Sequence, residues 1–337
     1  MESGRIRIVD IADELGLSTA TVSNVIHGKT KKISDETVKR VQQLLEERQY
    51  IPSMAGILLA QNDSKIIGVV INDHEKYEGH TLEDPFISAS VNALAKEIGQ
   101  AGKFLMLKVT DKWEEIPRFA SMWNMEGMVL SGYCEQDYKK LREQMHIPFV
   151  VYDGYMESSG NLVNIEVDHF DGGVQAGRYL KSRGHSAVLC ISDNNICMDR
   201  ERFMGLKSEI PNAELMVVPM EQEARAVFYR EHLGNIKNYS AFFAVPDYYA
   251  MDFIQFLKSA GASVPEDISV VGFDDVRGSE KFVPALTTIK QDNRQRAALA
   301  VNLLNQLRNG DCGDKNMKLP VTLIERDSVC DVKMHKK

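Results

Sequence analysis

From Ile66 onward, short apolar runs alternate with amphipathic stretches long enough to be helices. "IIGVVI", "FLMLKV", "GMVLSG" and "PFVVYD" are separated by segments such as "ISASVNALAKEIGQAG". Apolar runs of this length, bounded by turn residues and alternating with helices, are the signature of βα repetition around a parallel sheet. A second series, "AVLCIS", "LMVVP", "AFFAV" and "ISVVGFDD", follows "NLVNIEVDH", again with helical segments between the runs. This alternation constrains most of the chain to the α/β class, with two lobes. The polar interval "QNDSK", residues 61 to 65, has no apolar periodicity and reads as a linker ahead of the body.

The first fifty residues follow a different period. Apolar side chains fall at Ile11, Leu15, Leu17, Val22 and Val25, with small Ala12 on the first segment and Gly16 between the two. That is a pair of short helices hinged at a glycine, which takes the turn conformation without a Cβ penalty. Ser18 is placed as N-cap of the second helix, accepting a free backbone N–H. Thr19, Ala20, Thr21, Ser23 and Asn24 then lie on or near its exposed side, short and polar enough for the floor of a DNA major groove. A third helix follows, with Ser34 as N-cap, Asp35 and Glu36 in the first turn where the helix dipole favours them, and Val38, Val41, Leu44 and Leu45 on one face. By spacing alone, the first two helices fit either a helix-turn-helix or an αα-corner in a core. The first sixty residues are charge-neutral, so the whole formal net charge of −8 lies in the body. Within this head, Lys29, Lys31 and Lys32 gather in "HGKTKK", either as phosphate contacts or as a solvated loop.

The stretch "IVDIADELGLSTATVSNVIHGKTKKISDETVKRVQQLLEERQYIP" resembles the headpiece of the lactose/galactose repressor (LacI/GalR) family of bacterial transcription regulators, in its "ATVS" run, Gly28, the Ser34 to Tyr50 helix and Pro52. The resemblance implies a helix-turn-helix domain over 1–52 and double-stranded operator DNA as partner. It also implies a hinge helix within 53–65 that orders on DNA and presses Leu59 into the minor groove. Two departures stand out. Asn24 occupies the position where the family most often has arginine, and asparagine suits adenine where arginine reads guanine. Ser53, Gly56 and Ile57 replace the family's usual Asn, Ala and Arg, and glycine costs about 1 kcal/mol against alanine within a helix.

The body resembles the type I periplasmic sugar-binding fold that this family uses as a sensor, through "VDHFDGGVQAGRYLKSRGHS", "RFMGL", "DISVVGFDD" and "PALTTIKQD". The resemblance implies an effector-binding and dimerisation domain over 66–337. One lobe is expected over 62–162 and 292–320, the other over 163–291 and 321–337. A ligand then sits in the cleft between them, at the carboxyl ends of parallel strands. Asp153 closes "PFVVYD", Asp274 closes "ISVVGFD", and Arg202 opens "RFMGL"; such groups clamp sugar hydroxyls by charge-assisted hydrogen bonds. The alternatives are helix capping for the two carboxylates and a surface ion pair for the arginine. Asp247 belongs to the set, although the family's common "AND" reads "VPD" here, so Pro246 removes an amide. Gln291 either lines the cleft or bonds the hinge backbone. Tyr248 and Tyr249 are nearby aromatic candidates.

Five cysteines without CxxC pairs or interleaved histidines point to free thiols, not to a disulfide framework or a metal site, and no cofactor is expected. "MESGRIRIVD" lacks a signal-peptide core and no apolar run approaches the roughly 20 residues that span a bilayer, so a cytoplasmic protein with no membrane partner is expected. The first body strand is followed by "HEKYEGH" instead of a glycine-rich phosphate turn, which argues against a hydride-transferring dehydrogenase. A secreted sugar-binding protein would carry a leader and no helix-turn-helix. The remaining alternatives are a carbohydrate effector or a protein corepressor acting on a homodimeric repressor; no heptad segment closes the chain to build a tetramer.

Overall fold

The computed structural model describes residues 6–51, 64–156, 162–310 and 315–332. The chain divides into a head, residues 1–64, and a body, residues 65–337.

The head contains three helices among its described residues: α1 (Ile8–Leu15), α2 (Thr19–Ile26) and α3 (Asp35–Glu47). Gly16 ends α1 at φ +65° and turns the chain into α2. Ile11, Ala12, Val22, Val25, Val41 and Leu44 are buried at the centre, with Leu15, Leu17, Val38, Leu45 and Tyr50 packed around them. The periodicity therefore predicts this core residue by residue. Helix α3 stops short of Tyr50, because Gln49 takes φ +48° and the Tyr50 N–H returns to the Leu45 carbonyl at 2.9 Å. That closure folds the tyrosine ring back onto the core.

Among its described residues the body carries two six-stranded sheets. The first contains β1 (Ile66–Ile71), β2 (Phe104–Val109), β3 (Gly127–Ser131), β4 (Phe149–Tyr152), β5 (Val163–Val167) and, late in the chain, β11 (Lys315–Leu319). The second contains β6 (Val188–Ser192), β7 (Glu214–Val217), β8 (Ala241–Ala244), β9 (Ser269–Asp274), β10 (Thr287–Lys290) and β12 (Thr322–Ile324). Their orders are β11-β5-β4-β3-β1-β2 and β12-β10-β9-β8-β6-β7. Among the described residues, all pairs are parallel except β10 with β12. Every residue of β1 is buried, as a strand covered on both faces requires. The helices are α4 (Pro85–Gln100), α5 (Glu115–Met122), α6 (Glu135–Gln144), α7 (His169–Ser182), α8 (Cys197–Glu209), α9 (Gln222–Glu231), α10 (Leu233–Ile236), α11 (Asp247–Ser259) and α12 (Asn293–Arg308).

The first crossing differs from the boundary expected at 162/163. Strand β5 pairs with β4, Val150 opposite Val163, so "VNIEV" completes the first sheet and the chain leaves that lobe after Val167. The physical reason is the apolar edge of β4, which β5 covers before β11 pairs on its far side. The later crossings fall between β10 and α12, at Gln291–Asp292, and between β11 and β12, at Pro320–Val321.

Candidate functional site

On the head, the Thr21 N–H donates to Ser18 Oγ at 3.1 Å, which fixes the start of α2. The two hydroxyls also share a bond of 2.9 Å, so Thr21 is drawn into the cap and half-buried. Thr19, Ala20 and Asn24 are exposed and Ser23 is half-buried. Past Gly28, at φ +69°, the Lys29 N–H closes on the Asn24 carbonyl at 2.8 Å. Lys29, Lys31 and Lys32 are exposed on the loop that follows. A capped helix with short polar side chains outward, flanked by lysines, has the form that enters a major groove and touches the adjoining backbone. Leu59, with Ser53, Gly56 and Ile57 of the expected hinge, lies outside the described residues.

In the body, the carboxyl ends of strands from both sheets meet at the crossings. Asp153 follows β4 and Asp274 ends β9, with φ of +50° and +122°. Non-glycine residues in such conformations cost about 1–3 kcal/mol and concentrate at functional sites. Arg296 of α12, 1% exposed, donates to Asp153 Oδ2 at 2.5 Å and to Gln291 Oε1 at 3.3 Å. The Gln291 amide in turn donates to Asp274 Oδ1 at 2.6 Å. A continuous chain of hydrogen bonds thus joins the first sheet to the second. Gln291 binds side chains from both lobes, not hinge backbone. Arg296 was invisible in the sequence because it lies within a helix, not at a strand end.

Arg202 lies in α8, which crosses α7 at a glycine contact. A Cβ on Gly173 would come within 2.0 Å of the Arg202 carbonyl oxygen, and one on Gly205 within 2.0 Å of that of Phe170. This close approach brings Arg202 Nε to His169 Nδ1 at 3.2 Å. Its Nη1 meets Asp199 at 3.0 Å, and the guanidinium lies over Phe273, 4.0 Å from the ring centroid. Burial, then the charges of Arg202 and Arg296, push the His169 pKa well down, so the ring is neutral. Burial pushes the Asp274 carboxyl well up; Arg202 opposes that shift while Asp247 and Asp84 add to it.

Asp247 does not join this group. Its carboxylate accepts from the Val276 N–H at 3.0 Å, Ser279 Oγ at 2.7 Å and Thr288 Oγ1 at 2.5 Å, and it is fully buried inside the second lobe. Gly272 admits it, since a Cβ there would fall 2.1 Å from Asp247 Oδ1. The residue fastens the loop between β9 and β10 and stands apart from the other expected effector contacts.

Between the lobes lies a cavity of about 320 Å³. One wall is the segment after β1, with Lys76, Tyr77, Glu78 and Asp84; the other carries Asp193, Gln222, Tyr248 and Tyr249. The Gln222 N–H donates to Glu78 Oε1 at 3.2 Å across the mouth, and Tyr249 donates to Asp193 at 2.9 Å. Buried Arg225 donates to the Tyr248 hydroxyl at 3.3 Å and lies 4.6 Å from the Tyr249 ring centroid, fixing both aromatics in the wall. Asp193 stands after β6 as Asp153 stands after β4, so the strand-end rule could have found it. Among the described residues, no three His, Cys, Asp or Glu side chains cluster to hold a metal, and no helix is long and apolar enough to cross a membrane. Cys134, Cys190, Cys197 and Cys330 are free thiols.

A helix-turn-helix head together with a two-lobed α/β body is the architecture of a class of DNA-binding regulators. Similarity to known proteins agrees. Residues 7–53 match the bacterial regulatory proteins of the lacI family, and residues 178–329 match a periplasmic binding protein-like domain. The HTH-type transcriptional repressor PurR of Escherichia coli O139:H28 is 30% identical over 342 residues, spanning 96% of this chain and 97% of that protein. The Lac repressor dimer bound to operator and the anti-inducer ONPF superposes with a TM-score of 0.82 at 24% identity, over 97% of this chain and 100% of that one. A ribose-bound LacI family regulator from Enterococcus faecium gives 0.69 at 24% identity, over 80% of this chain and 100% of that one. The chain belongs to the LacI/GalR family of bacterial transcription regulators, and it is not an enzyme.

Proposed function

We propose that the protein is a cytoplasmic repressor that binds a two-fold symmetric operator as a homodimer and is controlled by a small sugar or sugar derivative held between its lobes. The observation that carries effector control is the bond chain Asp153–Arg296–Gln291–Asp274, which links the two lobes through side chains. A ligand that engages such a chain differently in open and closed forms has the differential affinity needed to shift a DNA-binding equilibrium. Strained backbone at both carboxylates and a cavity of about 320 Å³ support the same reading. So does the Enterococcus faecium relative, which has ribose bound in this fold. On the DNA side, Thr19, Ala20, Ser23 and Asn24 read base edges while Ser18, Thr21 and the three lysines position α2 against phosphates. A dimer presents two such helices to two half-sites.

Selection from random duplexes tests the DNA half of this reading: enrichment of two-fold symmetric sites supports it, and enrichment of asymmetric sites refutes the dimer. Operator affinity measured across a sugar panel tests the other half. A response to a cytosolic protein and to no sugar would replace the sugar with a corepressor.

A further inference from the structure

Among the described residues, four buried side-chain atoms where the lobes meet have no hydrogen-bond partner: the Tyr152 hydroxyl, Asp153 Oδ1, His169 Nε2 and Arg296 Nε. Three of them adjoin one another, and His169 lies within range of the Arg296 charge. The Arg296 guanidinium is bonded to Asp153 and lies 4.6 Å from the Tyr152 ring centroid, and its charge is among those acting on His169. Orphaned buried polar groups are costly and rare in native proteins, and several together mark a place where a polar partner belongs.

The donor inventory defines that partner. Arg202 donates to His169 Nδ1, so the neutral ring carries its proton on Nε2, which can only donate. Arg296 Nε–H also only donates, the Tyr152 hydroxyl does either, and Asp153 Oδ1, a carboxylate oxygen in an ion pair, only accepts. Up to three donors face one acceptor. A sugar ring answers this balance, since each hydroxyl accepts twice for every proton it gives and the ring oxygen only accepts.

Charge narrows the class further. Arg296 is balanced by Asp153 and Arg202 by Asp199, so neither guanidinium is left over to hold an anion. The cavity between the lobes is lined by Glu78, Glu83, Asp84 and Asp193 against Lys76 and His80, a field that repels phosphates and carboxylates. An ammonium group in the inner position would face N–H donors. Building on the sugar-effector reading above, we propose that Tyr152, His169 and Arg296 join Asp153 as the inner seat of the effector, and that this seat selects an uncharged sugar over its phosphorylated, acidic and amino derivatives.

The test is thermal unfolding and operator binding of the full chain with D-glucose, D-galactose and D-ribose. Each is paired with its terminal phosphate, and D-glucuronate, D-galacturonate and D-glucosamine are added. Only uncharged members should raise the wild-type midpoint. Tyr152→Phe removes the orphan hydroxyl alone, so its sugar-free midpoint should equal or exceed that of wild type while sugar binding weakens by about tenfold or more. Arg296→Lys, which keeps a cation beside Asp153 but loses the Nε–H, should weaken the same sugar. A charged derivative that binds as tightly as its parent overturns the selection. An undiminished sugar response in both variants, or a lower sugar-free midpoint for Tyr152→Phe, overturns the seat. Silence from the whole panel, charged and uncharged, overturns the sugar reading and this proposal with it.

Discussion

The Gln291 side-chain amide donates to the Asp274 carboxyl at 2.6 Å, while the Gln291 carbonyl accepts from Arg296 at 3.3 Å. One residue at the crossing between β10 and α12 therefore holds a carboxyl of one lobe and a guanidinium of the other. Gln291→Leu keeps the volume and removes both bonds. We expect it to lower the body's unfolding free energy by about 1–3 kcal/mol, the cost of leaving buried polar groups unpaired. Urea denaturation followed by Trp113 and Trp123, both in the body, measures this, and an unchanged midpoint would show that the bonds carry no net stability.

Asp247 should behave as a fastener. Asp247→Ala strips three bonds from the loop between β9 and β10 and should cost about 2–5 kcal/mol. Burial raises its pKa, and the bonds from Thr288, Ser279 and Val276 oppose that rise. A loss below about 1 kcal/mol in the same denaturation assay would return the residue to the set of ligand contacts.

The head was legible because its chemistry is local. Ser18, Gly16 and the apolar spacing act within a few residues of one another, and the cap and the core follow from them. In the body, the rule that polar residues at strand ends face the cleft picks Asp153 and Asp274, which the structure joins through Arg296 and Gln291. Asp247, picked by the same rule, sits after β8 but turns inward because Gly272 of the adjacent strand leaves room for it. Arg296 and His169 escaped because nothing in a helical segment reveals which face meets a distant partner, Asp153 lying 143 residues from Arg296 and Arg202 lying 33 from His169. The β5 boundary was misplaced for a similar reason: sheet membership is decided by which edge is open, a tertiary fact.

Stability should fall as pH is lowered from 7 toward 5. Burial depresses the pKa of both His169 and His185. The unfolded chain therefore takes up protons near the ordinary histidine value of about 6.5 while the folded chain does not. Their contribution is complete above that value and is lost as pH falls from it through the lowered values of the folded chain. Asp274, with its raised pKa, acts oppositely, so the readout is the difference between variants. His169→Gln should show a shallower loss of thermal midpoint between pH 7 and 5 than wild type; parallel curves would mean the ring is charged in the fold.

On the head, Ser18→Ala should destabilise α2 by about 1 kcal/mol through loss of the cap, seen as earlier melting of the head by amide exchange. Asn24→Arg should raise guanine use at one symmetric pair of operator positions, with discrimination on the order of 1–3 kcal/mol. An unchanged consensus after duplex selection would remove Asn24 from the residues that read bases.

Operator affinity measured with and without the bound sugar shows whether the cleft controls DNA binding. Wild type should change affinity by the equivalent of about 1–3 kcal/mol, roughly 5- to 150-fold. Arg202→Ala and Asp274→Asn should keep the sugar-free operator affinity, because neither residue belongs to the head, and should lose the response. If both variants respond to the sugar as fully as wild type does, the site between the lobes does not govern DNA binding.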